Sequence, residues 1–227
     1  MIDIGGTMQP FHIAIDGPAG SGKSSISKEL AEKLNCIHID TGAMYRAVTA
    51  IALRNQKPLD DVNSYQFLES SKFVYKKESI YVNQENLTDI IRDKSISQYV
   101  SLVSSIQYVR KILVRVQQEI AQNNDVVMDG RDIGSVVLPY AQVKIFLTAQ
   151  IEERAKRRIH ELGLDIPLKQ MIEDIETRDL KDSTRAISPL TKASDAVIID
   201  TTYLTKKEVI ELIMSEINKR KQLHAKY

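Results

Sequence analysis

The chain of 227 residues has no tryptophan, one cysteine, four phenylalanines, six prolines and nine glycines. A single cysteine, Cys36, cannot form an intrachain disulfide, which excludes a disulfide-stapled scaffold and suits a reducing cytosol. Cys36 reads as small apolar filler in a strand rather than as a catalytic thiol. So little glycine and proline excludes collagen-like and linker-like chains. No apolar run approaches the roughly 18 residues that span a bilayer. Neither sign of charge dominates, with Lys plus Arg at 31, Asp plus Glu at 30 and a net charge of +1. That balance gives no general attraction to nucleic acid or to an anionic membrane. The opening MIDIGGTMQP lacks the basic and apolar stretches of a signal peptide and reads as a short extension before the first strand. Without secretion, the glycosylation triplet Asn86-Leu87-Thr88 carries no meaning.

What is present is an ordinary globular composition, 43% apolar and 27% charged, long enough for one or two domains with a real core. Short continuous apolar runs occur at Phe11–Ile15, Cys36–Ile39, Val126–Met128, Val143–Leu147 and Ala196–Ile199. Runs without alternation predict strands buried on both faces, hence a parallel sheet. Between them Ile26, Leu30, Ala31 and Leu34 recur at helical spacing. Thr205 and Glu208 form a capping-box pair ahead of a last helix marked by Val209, Leu212, Ile213 and Ile217. The expectation is an α/β layered fold. Two regions depart from it. Phe73-Val74-Tyr75 and Ile80-Tyr81-Val82 flank Lys76–Ser79 as a predicted antiparallel hairpin, followed by helical stretches from about Thr88 and from about Ser101 to Ala121. Residues 63–105 thus read as inserted. Residues 157–190 are dense in charge and carry Pro167 and Pro189.

Gly17-Pro18-Ala19-Gly20-Ser21-Gly22-Lys23-Ser24 fits G-x-x-x-x-G-K-[S/T], directly after a predicted strand and before a predicted helix. Backbone N–H groups and the helix N-terminus can cradle phosphates there. Lys23 would reach the β and γ phosphates and Ser24 a Mg²⁺ ion. The other strand ends carry Asp16, Asp40-Thr41-Gly42 with Met44-Tyr45-Arg46, and Asp129-Gly130-Arg131-Asp132. In open α/β sheets ligands gather at this edge. Asp129 is the candidate for holding Mg²⁺ through water, with Asp16 a possible helper; a helix cap or turn is the alternative for either. Arg46, Arg110, Arg131, Arg178 and Arg185 are candidates for binding phosphoryl charge. The cluster Arg154-Ala155-Lys156-Arg157-Arg158 reads as the base of a lid over triphosphate, in preference to a solvated helix face or a short nucleic-acid patch without aromatic interleaving. His12 and His38, in predicted strands, read as packed neutral rings; His160 and His224 need no role. A GTPase switch is disfavoured, because Thr191-Lys192-Ala193-Ser194-Asp195 is a poor match to Asn-Lys-x-Asp.

The segments IDGPAGSGKSS, DTGAMYR, MDGRDIGSVVLP, RDLKDSTRAISPL and KASDAVIIDTT, in this order, resemble the bacterial cytidylate kinases from about Phe11 to the last helix. The resemblance implies a P-loop nucleoside monophosphate kinase fold: a five-stranded parallel sheet flanked by helices, a small α+β monophosphate-binding insertion and a lid. It implies a core over 1–62 and 106–227, the insertion over 63–105, and the lid at about 157–190. The implied reaction is Mg²⁺-dependent transfer of the ATP γ-phosphate to CMP or dCMP, in pyrimidine nucleotide metabolism. Gly17, Pro18, Ala19, Gly20, Ser21, Gly22, Lys23, Ser24, Ser25 and Arg157 would bind ATP. Lys23, Asp129, Arg131 and Arg185 would be catalytic, and Ser24 the metal-binding residue. Arg46, Arg131 and Arg185 would hold the CMP phosphate. Ser101, Arg110 and Asp132 would read cytosine, Arg178 and Asp182 would touch the sugar, and Thr41 and Tyr45 would line the pocket. Lys181 stands where some members carry a further lid arginine. The remaining expectations are a cytoplasmic monomer without nucleic-acid or membrane partners. The alternative is a P-loop kinase for another small phosphate acceptor.

Overall fold

The computed structural model describes residues 9–76 and 79–224. The opening extension lies mostly outside that range, as do residues 77–78 of the hairpin and the side chain of His224. Five strands form one parallel sheet: β1 (His12–Asp16), β2 (Ile37–Asp40), β6 (Val126–Gly130), β7 (Val143–Thr148) and β8 (Val197–Asp200), in the order β2-β6-β1-β7-β8. β1 lies at the centre, with Ile13 and Ile15 opposite Val127 and Asp129 of β6 and Val143 and Ile145 of β7. Strand alternation sends successive side chains to opposite faces. Ile13, Ile15 and Val127 pack with α1 (Lys23–Leu34) and α7 (Lys206–His224), whereas Ala14, Val126 and Met128 pack with α2 (Thr41–Arg54) and α4 (Gln107–Gln122). Both faces are covered, which is why the strands read as continuous apolar runs.

The expected hairpin is β3 (Phe73–Lys76) paired with β4 (Ser79–Val82), and a short β5 (Glu85–Asn86) adds a third antiparallel strand. Phe73, Ile80 and Val82 point into the core that contains α2 and α4. The helix boundaries differ from expectation. The segment after Thr88 is a 3₁₀ turn over Ile90–Arg92, and α3 runs Lys94–Ser105, so Ser101 lies inside α3 instead of opening the next helix. The break is Ile106, which is extended (φ −73°, ψ 118°). The charge-dense region is mostly helical, α5 (Ile151–Leu162) packing on α6 (Leu168–Thr184) around Ala155, Met171 and Ile175. The capping box is present: Glu208 accepts from the Thr205 N–H at 2.8 Å, and Thr205 Oγ1 accepts from the Glu208 N–H at 3.3 Å. Cys36 precedes β2 and is only partly buried. No helix among the described residues is long and apolar enough to cross a membrane.

Candidate active site

The carboxyl ends of β1, β2 and β6 converge on one edge, and the P-loop leaves β1 there. Gly17 has φ +152°, and a Cβ on it would lie 2.1 Å from the Leu147 carbonyl oxygen, so only glycine lets the loop turn against β7. Gly22 caps α1, whose first residue is Lys23. Lys23 is 6% exposed and donates to the Pro18 carbonyl at 2.6 Å and to Ser21 Oγ at 3.3 Å. Burial and the neighbouring Arg131 press its pKa well below the ordinary lysine range, against the pull of Asp129 and Asp16. A group that binds phosphate gains from that arrangement, because an anion relieves it. The Ser25 hydroxyl donates to the Gly22 carbonyl at 3.0 Å.

Ser24 and Asp129, 105 residues apart, meet directly: Ser24 Oγ donates to Asp129 Oδ2 at 2.7 Å. A hydroxyl beside a carboxylate at a phosphate cradle is a set of hard oxygens that fits Mg²⁺. His38 is the residue that sequence reasoning missed. Its Nε2 lies 2.7 Å from Asp129 Oδ1, so the ring is partnered with a carboxylate of the site and is not mere packing. Burial opposes its charge, but Asp129 and Asp40 outweigh burial and raise its pKa. His12 is only partly buried, with Nε2 2.9 Å from the Ala121 carbonyl. Asp16 is corrected as a metal helper, since both its carboxylate oxygens accept backbone N–H groups, from Ile133 and Gly134, at 2.8 Å each.

On the other side of Lys23, arginines gather, and most are aimed by an aspartate. Arg46 donates to Asp40 Oδ2 at 2.9 Å, while Asp40 also caps α2 through the Ala43 N–H. Arg131 Nε donates to Asp182 Oδ2 at 2.8 Å. Asp132 takes Arg110 Nη2 on one oxygen and Arg185 Nη2, at 3.4 Å, on the other. Arg185 also donates from Nε to the Ser188 carbonyl at 2.5 Å. Arg110 is 3% exposed, stacks over the Tyr45 ring at 5.5 Å and donates to the Ser104 carbonyl at 3.2 Å. Burial and the Arg110 charge lower the Arg185 pKa. Burial pushes the Tyr45 hydroxyl up to about 12, and that buried hydroxyl has no partner among the described residues. Arg178 is also held against its charge. Burial and repulsion from Arg131 lower it to about 10, with Arg158 and Arg46 adding to the repulsion, and its Nε is buried without a partner among the described residues. Thr41 Oγ1 donates to the Asp129 carbonyl at 2.8 Å. Ser101 lies on α3, which packs against α6.

α5 and α6 grip the P-loop. Asp179 Oδ1 accepts the Ala19 N–H at 3.0 Å, and Arg154 pairs with Asp179 while donating to the Ala19 carbonyl at 3.0 Å. Arg157 donates to Thr201 Oγ1 at 2.8 Å and to its carbonyl at 2.6 Å. Arg158 is the member of that run whose charge repels Arg178.

The sequence pattern of the cytidylate kinase family matches residues 13–219. A protein of Acholeplasma laidlawii named cytidylate kinase is 51% identical over 215 residues, covering 92% of this chain and 97% of that protein. A protein of the same name from Ligilactobacillus salivarius is 49% identical over 221 residues, covering 94% and 99%. Among solved structures, an uncharacterized protein from Eubacterium ventriosum superposes with a TM-score of 0.53 at 15% identity, covering 92% and 98%, a likeness of fold alone. A P-loop facing a second, arginine-lined site across one sheet edge is the fold of the nucleoside monophosphate kinases, and with half of its residues shared along nearly its whole length this chain belongs to the cytidylate kinase family.

Proposed function

We propose that the chain transfers the γ-phosphoryl group of ATP to CMP or dCMP, giving ADP and CDP or dCDP. The observation that carries this reading is Asp132, a buried carboxylate held between Arg110 and Arg185 at the arginine-lined edge. A carboxylate accepts from an exocyclic amino group such as cytosine N4, and Arg110 can donate to the ring O2 or N3. An oxygen of the CMP phosphate attacks the γ-phosphorus while the bond to the β-phosphate oxygen breaks. The attacking oxygen is already anionic, so no protein base is needed. Catalysis then rests on positioning and on preorganised charge. Lys23 and Arg131 meet charge spreading over the transferring group, Arg46 and Arg185 hold the acceptor phosphate, and Arg178 with Asp182 faces the sugar. Ser24 and Asp129 would hold Mg²⁺, which supplies further neutralisation of the phosphate oxygens. Residues 63–105 act as the acceptor-binding segment and 157–190 as the lid, in a cytoplasmic monomer.

The test is a steady-state panel of CMP, dCMP, UMP, AMP and shikimate with ATP and Mg²⁺. Preference for CMP or dCMP is expected. Equal or better turnover of another acceptor would overturn the cytosine assignment while leaving the phosphotransferase intact.

A further inference from the structure

Asp16 is 3% exposed, and nothing in the reaction above uses it. It is the last residue of β1, directly before Gly17 of the P-loop. Its two oxygens accept from two successive backbone N–H groups, Ile133 and Gly134, at 2.8 Å each. These open the π-turn, Ile133–Val137, that follows Arg131 and Asp132. Two donors facing one way need two acceptors, which a carboxylate supplies and an amide does not. The approach is close: a Cβ on Gly134 would lie 3.4 Å from Asp16 Oδ2 and 3.2 Å from the Lys144 side chain. Lys23 on the donor side and Asp132 on the acceptor side both lie within electrostatic reach of this carboxylate.

We propose that Asp16 is a positioning residue that sets the acceptor-binding segment Arg131–Asp132 in register with the P-loop. The two halves of the active site come from strands more than a hundred residues apart in sequence. Strand pairing aligns Asp16 with Gly130, but it ends there. Beyond Gly130 the backbone leaves the sheet, and the clamp from Asp16 is what fixes where Arg131 and Asp132 emerge. A carboxylate hung from the phosphate loop therefore determines the distance between donor and acceptor.

This inference rests on the proposed reading of Asp132, and its test separates the two. In Asp16→Asn the amide oxygen accepts one N–H while its NH₂ confronts the other, leaving a buried donor unpaired. Such a defect corresponds to about a 5- to 150-fold loss, here expected in CMP affinity and kcat. Affinity for a nonhydrolysable ATP analogue should change less than about threefold, half of a tenfold step on the energy scale. The CMP-to-UMP ratio of kcat/KM should narrow, because Asp132 is displaced. Asp16→Glu keeps the charge but moves it, and should show the same acceptor-selective loss. Parallel loss of both affinities, or loss of thermal stability with both affinities kept, would overturn the proposal. Should neither variant fold, the wild type decides. Its Ile133 and Gly134 amides must resist hydrogen exchange in the nucleotide-free protein, because Asp16 holds both, and fast exchange at these two amides would overturn the clamp. If the wild type prefers another monophosphate, the cytosine reading fails, and the donor–acceptor split measured with that monophosphate still decides the role of Asp16.

Discussion

Asp132→Asn isolates the base-reading step from the phosphate-binding step. In the wild type one buried carboxylate balances two arginines, Arg110 at 3% exposure and Arg185. Removing one partner of a buried ion pair costs about 3–5 kcal/mol. Asparagine keeps one acceptor, so the lower end, about 3 kcal/mol, is expected. For a chain of this size that corresponds to a fall of roughly 6–12 °C in Tm. Looser Arg185 should slow turnover of CMP and UMP alike, and that common loss cancels in their ratio. What does not cancel is the base. An ionised Asp132 accepts from cytosine N4 but opposes uracil O4 lone pair to lone pair, a mismatch of about 1–3 kcal/mol, or about 5- to 150-fold in kcat/KM. The introduced amide can rotate and donate to O4, so the CMP-to-UMP ratio should narrow by a comparable factor. The assay is kcat/KM for both substrates in wild type and variant, with a thermal melt of each. A melt shifted as expected beside an unchanged ratio would refute base reading and leave Asp132 as a structural counter-ion. An unchanged melt would refute the buried geometry itself.

Lys23→Ala should fold and lose about 10²–10³ in kcat, the usual effect of removing one preorganised donor; near-normal turnover would contradict its place at the transferring phosphoryl group. Arg178→Met removes a cation repelled by Arg131, Arg158 and Arg46, so the nucleotide-free Tm should hold or rise while kcat/KM for CMP falls; a lowered Tm with normal kinetics would count against the role. Asp179→Ala deletes the carboxylate that ties α6 to the Ala19 N–H. With about 1–2 kcal/mol at stake for a partly exposed charge-assisted bond, nucleotide-free hydrogen exchange in α6 and at Ala19 should quicken about 5- to 30-fold. That difference should vanish with CMP and an ATP analogue bound, and equal exchange in the free proteins would remove the tether.

The sequence revealed the parts whose causes are local. Continuous apolar runs mark strands buried on both faces, and the spacing Thr205–Glu208 marks a helix start because its hydrogen bonds close within one turn. The break between α3 and α4 gave no such signal. No glycine or proline stands there, and apolar periodicity runs through it. The α3 end is instead satisfied from the next helix, by Arg110 donating to the Ser104 carbonyl. His38 was misread for a related reason. Inside a continuous apolar run it reads as one more packed residue. Only when β2 pairs with β6 does it come beside Asp129, and strand order is not written in any one segment. Asp16 could be read as a turn or cap for the same cause, its partners lying 117 and 118 residues away.

Net charge misleads in the same way, and the structure shows why. A balance of +1 suggests nothing about phosphate, yet the sheet edge concentrates cations. The aspartates found there are not spread as general neutralisers. Asp40 aims Arg46, Asp182 aims Arg131, Asp132 aims Arg110 and Arg185, and Asp179 aims Arg154. Each carboxylate fixes a guanidinium in place while cancelling part of its field. Lys23 and Arg178 form no such ion pair among the described residues, and both have pKa values lowered by burial and by like charge. Each is thus a buried cation without a counter-ion among the described residues, one in the P-loop and one on α6. A phosphate chain reaching between them relieves both at once. On the proposed reading, donor and acceptor phosphates bound together would offset the like-charge repulsion that Lys23 and Arg178 carry in the free protein.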